Sequence, residues 1–306
     1  MTSPVAAPGT IEVDNPRSEL PRAVSVVIPA YNEADHIAAG LVDLRKVLEG
    51  SSWDFEILVV DDGSEDETAV AAAGAGAGAR VLQHSRNRGY GAALKTGVAA
   101  SRYGWVLITD ADGTYPSTSI PALLERGARN DMVVGARTGR TVRVPLLRRP
   151  AKWFLRKLAG YLAGSKLPDL NSGLRLMRKD LIERYRHLLP SGFSFTTTIT
   201  LAAACNDHDI EYVSIDYHAR LGQSKIRAWH AYEFTLLILR TIVFFNPLKV
   251  FIPLGAVLAL AGLAKFAYDV TQNNLSESAI FAMLTAMLLW AVGLLADQNS
   301  RIAMNR

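Results

Sequence analysis

Three times in its first 115 residues the chain runs a short apolar segment into a polar or acidic turn: VSVVIPAYNE (Val24 to Glu33), FEILVVDDGS (Phe55 to Ser64) and WVLITDADG (Trp105 to Gly113). Runs this short and this continuously apolar read as strands buried on both faces. Helical spacing follows each of the first two. His36 to Leu48 puts Ile37, Leu41, Leu44 and Leu48 on one face, and Asp66 to Ala73 reads as a second helix before the short strand ARVLQH. A further helix is expected over Gly91 to Ser101. Strands alternating with helices predict βαβ units, a mostly parallel sheet and right-handed crossovers. Ligands of such sheets collect at the C-terminal strand edge. Tyr31-Asn32-Glu33, Asp61-Asp62, and Asp110 with Asp112 should therefore converge on one crevice.

With 306 residues there is room for one such domain and a smaller part. The smaller part lies at the C-terminus. Val250 to Ala264 is uncharged, and with Lys265 snorkelling the span reaches Tyr268; Ala279 to Ala296 is a second uncharged run. Both are apolar all round, which favours two membrane helices over the buried pair of a soluble bundle. Lys249 precedes the first and Arg301 and Arg306 follow the second, whereas Asp269 and Glu277 lie between them, so the main domain is expected on the cytoplasmic side of a cell membrane crossed twice. Just upstream, Lys225 to Phe245 sets Arg227, His230, Glu233 and Arg240 among Trp229, Tyr232, Phe234, Leu237, Phe244 and Phe245, the pattern of a helix lying along a membrane surface.

Charge is unevenly spread. Nine basic residues and no acidic one lie between Met132 and Pro168, in a chain of net charge only +4. That block calls for an anionic partner. It lacks stacking aromatics and any groove-reading module, which speaks against nucleic acid and for lipid phosphate beside a membrane. The single cysteine, Cys205, excludes an internal disulfide and a cysteine zinc site and is expected in the core. Residues 1–22 are rich in Pro, Ser and Gly, lack a basic or apolar leader pattern, and read as disordered. None of the six histidines has metal-ligand spacing, and structural roles are expected for them.

Asp110 and Asp112 are two apart on an extended segment and so point the same way, with Gly113 allowing a sharp turn behind them. Two adjacent carboxylates repel unless a cation lies between them; a hard divalent ion, Mg2+ or Mn2+, shared with a phosphate substrate would resolve this. An ordinary acidic surface turn is the competing reading. Asp61 and Asp62 are compatible with a capping turn, with Ser64 or Asp66 starting the next helix, and with acceptance from a nucleobase or ribose. Gly89 and Gly91 read as close-approach positions near a nucleotide.

Taken in order, SVVIPAYNE, VVDDGSEDET, NRGYGAAL, DADG, NSGLRLMRKD and RLGQSK resemble the inverting family 2 nucleotide-sugar glycosyltransferases of GT-A fold. Within that family the chain is similar to the polyprenyl (dolichyl) phosphate glycosyltransferases that carry a C-terminal pair of membrane helices. The resemblance covers Val24 to about Lys225. It implies a GT-A domain at 23–224, an interfacial helix at 225–247 and a hairpin at 248–306 with spans at 248–268 and 279–296. It also implies that Pro29, Tyr31, Glu33, Asp61, Asp62, Gly91, Asp110 and Ala111 line the donor site. Asp110 and Asp112 would hold Mg2+ or Mn2+; Arg137, Arg149, Ser172 and Arg220 would meet the acceptor phosphate; Arg137 and Lys225 would join the two aspartates in catalysis. Position 114, often a glutamine ligand in mannosyl-transferring relatives, is Thr114.

The activity implied is transfer of a hexose, glucose or mannose, from UDP or GDP to membrane polyprenyl phosphate. Two alternatives remain at this level. One is a family 2 transferase acting on a hydroxyl acceptor, whose processive members carry QxxRW, a motif that QSKIRAW misses by one residue. The other is a non-catalytic nucleotide-sugar-binding membrane protein, against which the intact aspartate pair argues. Gly255 and Gly262 in the first span leave room for close helix packing and are compatible with a homo-oligomer.

Overall fold

The structure is a computed structural model, and it describes residues 20–138, 157, 160, 161, 164, 166–192, 194–218, 236, 239, 240, 243–273 and 276–304. Residues 1–19 of the expected disordered segment 1–22 and most of the expected interfacial helix 225–247 lie outside these residues, while Leu20 at the end of that segment packs against the core rather than being disordered. The opening strands and helices fall where the apolar pattern puts them: β1 (Ala23–Ala30), α1 (Ala34–Glu49), β2 (Asp54–Asp61), α2 (Thr68–Gly74), β3 (Arg80–Gln83), α3 (Tyr90–Ala100) and β4 (Trp105–Ile108). Then come α4 (Ile120–Gly127), β5 (Met132–Ala136), β6 (Arg175–Arg178), α5 (Lys179–Tyr185), α6 (Phe195–Cys205) and β7 (Ile210–Ser214).

These strands form one seven-stranded sheet in the order β3-β2-β1-β4-β6-β5-β7. All pairings are parallel except the two made by β6, which runs antiparallel between β4 and β5. Side chains alternate across the strands and fill two cores. Val24, Val26 and Ile28 meet Ile37, Leu41, Leu44 and Leu48 of α1 and Leu123 of α4 on one face. Val27, Leu58 and Val60 meet Leu94 and Val98 of α3, and Phe195 and Ile199 of α6, on the other. Because the chain passes from β3 at the edge back across to β4, right-handed crossovers put α1 and α2 on one face and α3 on the opposite face. Strand order therefore reverses between β1 and β4, and the crevice at that switch point is where an open α/β sheet binds ligands. Tyr31 leaves β1 and Asp110 follows β4 at this edge.

Two long helices close the chain, α7 (Leu248–Thr271) and α8 (Glu277–Met304), with mean hydropathy 2.0 and 2.3 over their most apolar windows and little of either buried. By length and composition both can cross a membrane. Each outruns its uncharged stretch because charged residues at its end are paired within the helix: Lys265 with Asp269 in α7, and Asp297 with Arg301 in α8 at 2.8 Å. Asp269 also accepts from the Ser276 hydroxyl, closing the turn between the helices. Within the hairpin, Trp290 Nε1 donates to the Ile252 carbonyl at 3.2 Å, directly beside Gly255. Phe245 packs in the second core with its ring 5.9 Å from that of Tyr185, and Val250 covers Leu167, Leu170 and Leu201, so the start of the hairpin is anchored to the sheet domain. Cys205 is half-buried at this junction, and burial pushes its thiol up.

One packing constraint is testable. A Cβ on Gly97 of α3 would lie 2.3 Å from Val27 Cγ1 and 3.2 Å from Val60 Cγ2, both held in central strands. Gly97→Ala should cost about 1–3 kcal/mol by overpacking, seen as a lower thermal midpoint. Gly40→Ala, whose methyl meets open space on α1, should leave the midpoint unchanged or raise it.

Candidate active site

The Asp110 and Asp112 carboxylates follow β4 immediately, and each is tethered separately. Tyr90, the first residue of α3, donates its phenol to Asp110 Oδ1 at 3.0 Å. Burial first, and the adjacent Asp110 second, push the Tyr90 phenol well above its ordinary value, so it stays protonated and donates. Asp112 Oδ1 accepts from the Thr114 backbone N–H at 3.1 Å and from the Thr114 hydroxyl at 2.6 Å. Thr114 is buried, and its carbonyl accepts from the His218 N–H at 3.0 Å. At this position the side chain positions Asp112.

Gly173 forms the wall behind Asp110: a Cβ there would fall 2.6 Å from Asp110 Oδ2 and 2.7 Å from Oδ1. The Gly173 N–H donates to the Tyr115 phenol at 2.6 Å, and burial pushes that phenol up to about 12. Ser172 is fully buried and gives its hydroxyl to the Gly135 carbonyl of β5. That hydrogen bond holds the 172–173 turn, where the resemblance puts an acceptor-phosphate contact, against the sheet.

Asp61 and Asp62 are both buried and both build turns. Asp61 accepts from Ser64 N at 3.1 Å, from the Ser64 hydroxyl, and from Gln83 Nε2 at 2.9 Å. Asp62 accepts from the Arg88 and Gly89 N–H groups at 3.0 and 2.7 Å and lies 2.6 Å from His84 Nδ1, whose Nε2 meets the Thr96 hydroxyl at 2.9 Å. The turns after β1 and β2 are also laced together. Asn32 N donates to Ser64 Oγ, Glu65 N to Asn32 Oδ1, and Glu33 N to Thr68 Oγ1, each at 2.9 Å. Asn32 takes a left-handed φ of 55° to make this possible. Beside Asp61, Gly63, Ser64, Gln83, His84 and Ser85 line a groove of about 410 Å³. Tyr31 is 41% exposed at the end of β1, while Pro29 and Ala111 are buried.

Gly91 and Gly89 answer to a different neighbour from the one expected. A Cβ on Gly91 would sit 2.2 Å from the Pro190 carbonyl, and one on Gly89, at φ 98°, 2.6 Å from the Ser191 carbonyl. The close approach is therefore to the chain's own 190–192 loop, which the Ala92 N–H also grips through Ser191 O at 3.0 Å.

Arg137, at the end of β5, is held by Asp169: Nε to Oδ2 at 2.8 Å, Nη2 to Oδ1 at 2.9 Å, and its own N–H to Oδ2 at 3.1 Å. The guanidinium also lies over the Tyr217 ring at 5.4 Å. Burial pushes the Asp169 carboxyl up, but the Arg137 fork and the backbone donors pull it further down, and its value ends below normal. Arg149, Arg220 and Lys225 lie outside the described residues. Sequence reasoning missed Tyr90 and Asp169. The first stood inside NRGYG, where only the glycines were read, and the second is the first acid after a nine-cation block.

As donors, Asp110 and Asp112 offer the hard oxygens that Mg2+ and Mn2+ take. Among the described residues no group of three or more His, Cys, Asp or Glu gathers, so phosphate oxygens and water would have to complete the shell of an ion held here.

Comparison with known proteins adds the family. Residues 25–186 match the model of Glycosyl transferase family 2, over half the chain. The chain belongs to glycosyltransferase family 2. Residues 246–302 match a second family, the GtrB C-terminal hairpin. A dolichyl-phosphate hexose transferase of Haloferax volcanii is 31% identical over 205 residues, 66% of this chain and 86% of that relative. A prophage bactoprenol glucosyl transferase homolog of Escherichia coli is 27% identical over 261 residues, 84% of each chain. Among solved structures, glucosyl-3-phosphoglycerate synthase of Mycobacterium tuberculosis with Mn2+, UDP and glucosyl-3-phosphoglycerate aligns with TM-score 0.57 at 19% identity, over 78% of this chain and 85% of that one. That likeness shows a shared GT-A-like fold.

The Arg137–Asp169 pair sets an acid dependence. Its stabilisation is complete above the ordinary carboxylate value of about 3.9 and is lost as pH falls through the lower folded-state value. Asp169→Asn should cost about 3 kcal/mol near neutrality by stranding a buried cation. In urea unfolding of the detergent-solubilised chain, the gap between wild type and variant should narrow below about pH 4.

Proposed function

We propose that this family 2 enzyme transfers a hexose from a nucleoside diphosphate to the phosphate of a membrane polyprenol, inverting the anomeric carbon. The observation that carries this is the tethered Asp110 and Asp112 pair at the β1/β4 switch point, in a chain that ends in two membrane-length helices. Relatives named as dolichyl-phosphate and bactoprenol transferases, and the hairpin match, support the lipid phosphate acceptor.

An acceptor phosphate oxygen forms the new bond to the sugar's C1 while the bond from C1 to the diphosphate oxygen breaks, and the nucleoside diphosphate leaves with that electron pair. The acceptor oxygen is ionised at neutral pH, so no general base is required. Asp110 and Asp112 would hold Mg2+ or Mn2+, which when bound neutralises charge on the leaving diphosphate. Tyr90 and Thr114 fix the two carboxylates before substrate arrives, so that reorganisation is small at the moment of reaction. Tyr31, 41% exposed at the end of β1, is suited to stack on the nucleobase of UDP or GDP. Arg137, with Arg149, Arg220 and Lys225, would draw the anionic acceptor beside an anionic donor. Lys249 and Arg301 flank the hairpin's open end and Asp269 and Glu277 its closed end, which favours a cytoplasmic catalytic domain.

The test is to incubate the purified chain with labelled UDP-glucose or GDP-mannose, Mg2+ or Mn2+, and a short polyprenyl phosphate. The expected product is an acid-labile lipid-linked monosaccharide, with kcat lowered about a hundred-fold or more in Asp112→Asn. Transfer only to hydroxyl acceptors, or full activity in Asp112→Asn, would contradict the proposal.

A further inference from the structure

Arg175 opens β6 with none of its surface exposed. Its guanidinium is spent on uncharged acceptors: Nε and Nη2 both donate to the Ser172 carbonyl, at 3.1 and 2.6 Å, and Nη1 donates to the Thr196 carbonyl at 3.0 Å and the Thr200 hydroxyl at 2.8 Å. A buried arginine is ordinarily matched by a hydrogen-bonded carboxylate. Burial here presses the guanidinium below its ordinary value, with Tyr90, Tyr212, Asp169 and Tyr115 as the groups whose charges oppose that. Two of these four phenols and acids touch the candidate site directly: Tyr90 donates to Asp110, and Tyr115 accepts from Gly173.

What Arg175 grips decides its role. The Ser172 carbonyl belongs to the peptide that continues into Gly173, the residue flush against both oxygens of Asp110. In the β4–β6 register Arg175 stands opposite Ile108, two residues before Asp110. We infer that Arg175 is a positioning residue for the metal-binding carboxylates. Its fork holds the Ser172–Gly173 peptide as the wall that sets the orientation of Asp110.

A lysine cannot reproduce this, since it offers one nitrogen where the arginine fork reaches one carbonyl through two nitrogens and two further oxygens through the third. The inference rests on the reading of Asp110 and Asp112 as the seat of the divalent ion. It concerns a residue that touches neither ion nor substrate.

The test uses the full chain in detergent. Mn2+ is titrated by electron paramagnetic resonance in the presence of saturating UDP, with GDP in a parallel series, and the thermal midpoint is recorded on the same samples. Arg175→Lys should raise the Mn2+ half-saturation about ten-fold or more, the scale of effect seen when a residue supporting a metal ligand is lost. Thr200→Val, a gentler change that removes one acceptor of the fork, should raise it about three-fold while unfolding stays cooperative. Folded variants with lowered thermal midpoints but unchanged Mn2+ half-saturation would overturn the inference and leave Arg175 a purely structural residue. If Arg175→Lys does not fold, Thr200→Val decides by the same criterion. Wild-type protein that binds no Mn2+ with either nucleotide would overturn the metal reading itself, an outcome distinct from wild-type binding that the variants leave unaltered.

Discussion

Two carboxylates that leave the same strand end on the same side repel each other, and in a partly dehydrated crevice that repulsion is poorly screened. Holding Asp110 and Asp112 in this arrangement requires donors aimed at each from a different part of the fold. Tyr90 comes from the start of α3 and Thr114 from the turn that follows, while Gly173, which donates nothing to the pair but walls in Asp110 by close approach, comes from the approach to β6. The antiparallel β6 is what delivers the last of these. Inserted between β4 and β5, it carries the 172–173 turn to the end of β4, where the Ser172 hydroxyl ties it to β5 and Tyr115 holds its N–H. The irregularity in an otherwise parallel sheet thus coincides with the wall of the proposed metal site.

Around this centre the acidic residues divide by role. Asp61, Asp62 and Asp169 are each saturated by internal donors and shape the loops around the crevice: the turn after β2, the 84–89 loop, and the setting of Arg137. Saturated carboxylates stiffen a loop cheaply when backbone N–H groups are the donors, since those groups need partners in any case. Phe245 and Val250 tie the start of the membrane-length hairpin to the sheet domain. In the proposed reaction the lipid-borne acceptor would be confined to the membrane surface beside the crevice, which would lower the entropy cost of bringing it to a bound nucleotide sugar.

Much of this was legible in the chain. Continuous apolar runs, the face of Ile37, Leu41, Leu44 and Leu48, and two uncharged stretches located β1, α1, β2, β4 and the membrane-length helices, because burial demands those residue types wherever the partner lies. β6 was not legible. RLMR begins and ends in arginine, and only tertiary packing shows that Arg175 is buried while Arg178 is not. The partners of Asp62 and of Gly91 were equally hidden, since His84 and the Pro190 carbonyl reach them only through the folded chain. Spacing within a motif reports which residues share a turn; it does not report whether that turn faces a ligand or another loop.

The most direct measurement is the anomalous scattering of Mn2+ in crystals of the full chain grown with Mn2+ and a nucleoside diphosphate. The expected result is a single strong peak within about 2.1 to 2.3 Å of carboxylate oxygens of Asp110 and Asp112, bridged to the diphosphate. A peak bound elsewhere, or nucleotide bound in the crevice with no ion at these two residues, would contradict the assignment on which the proposed chemistry depends.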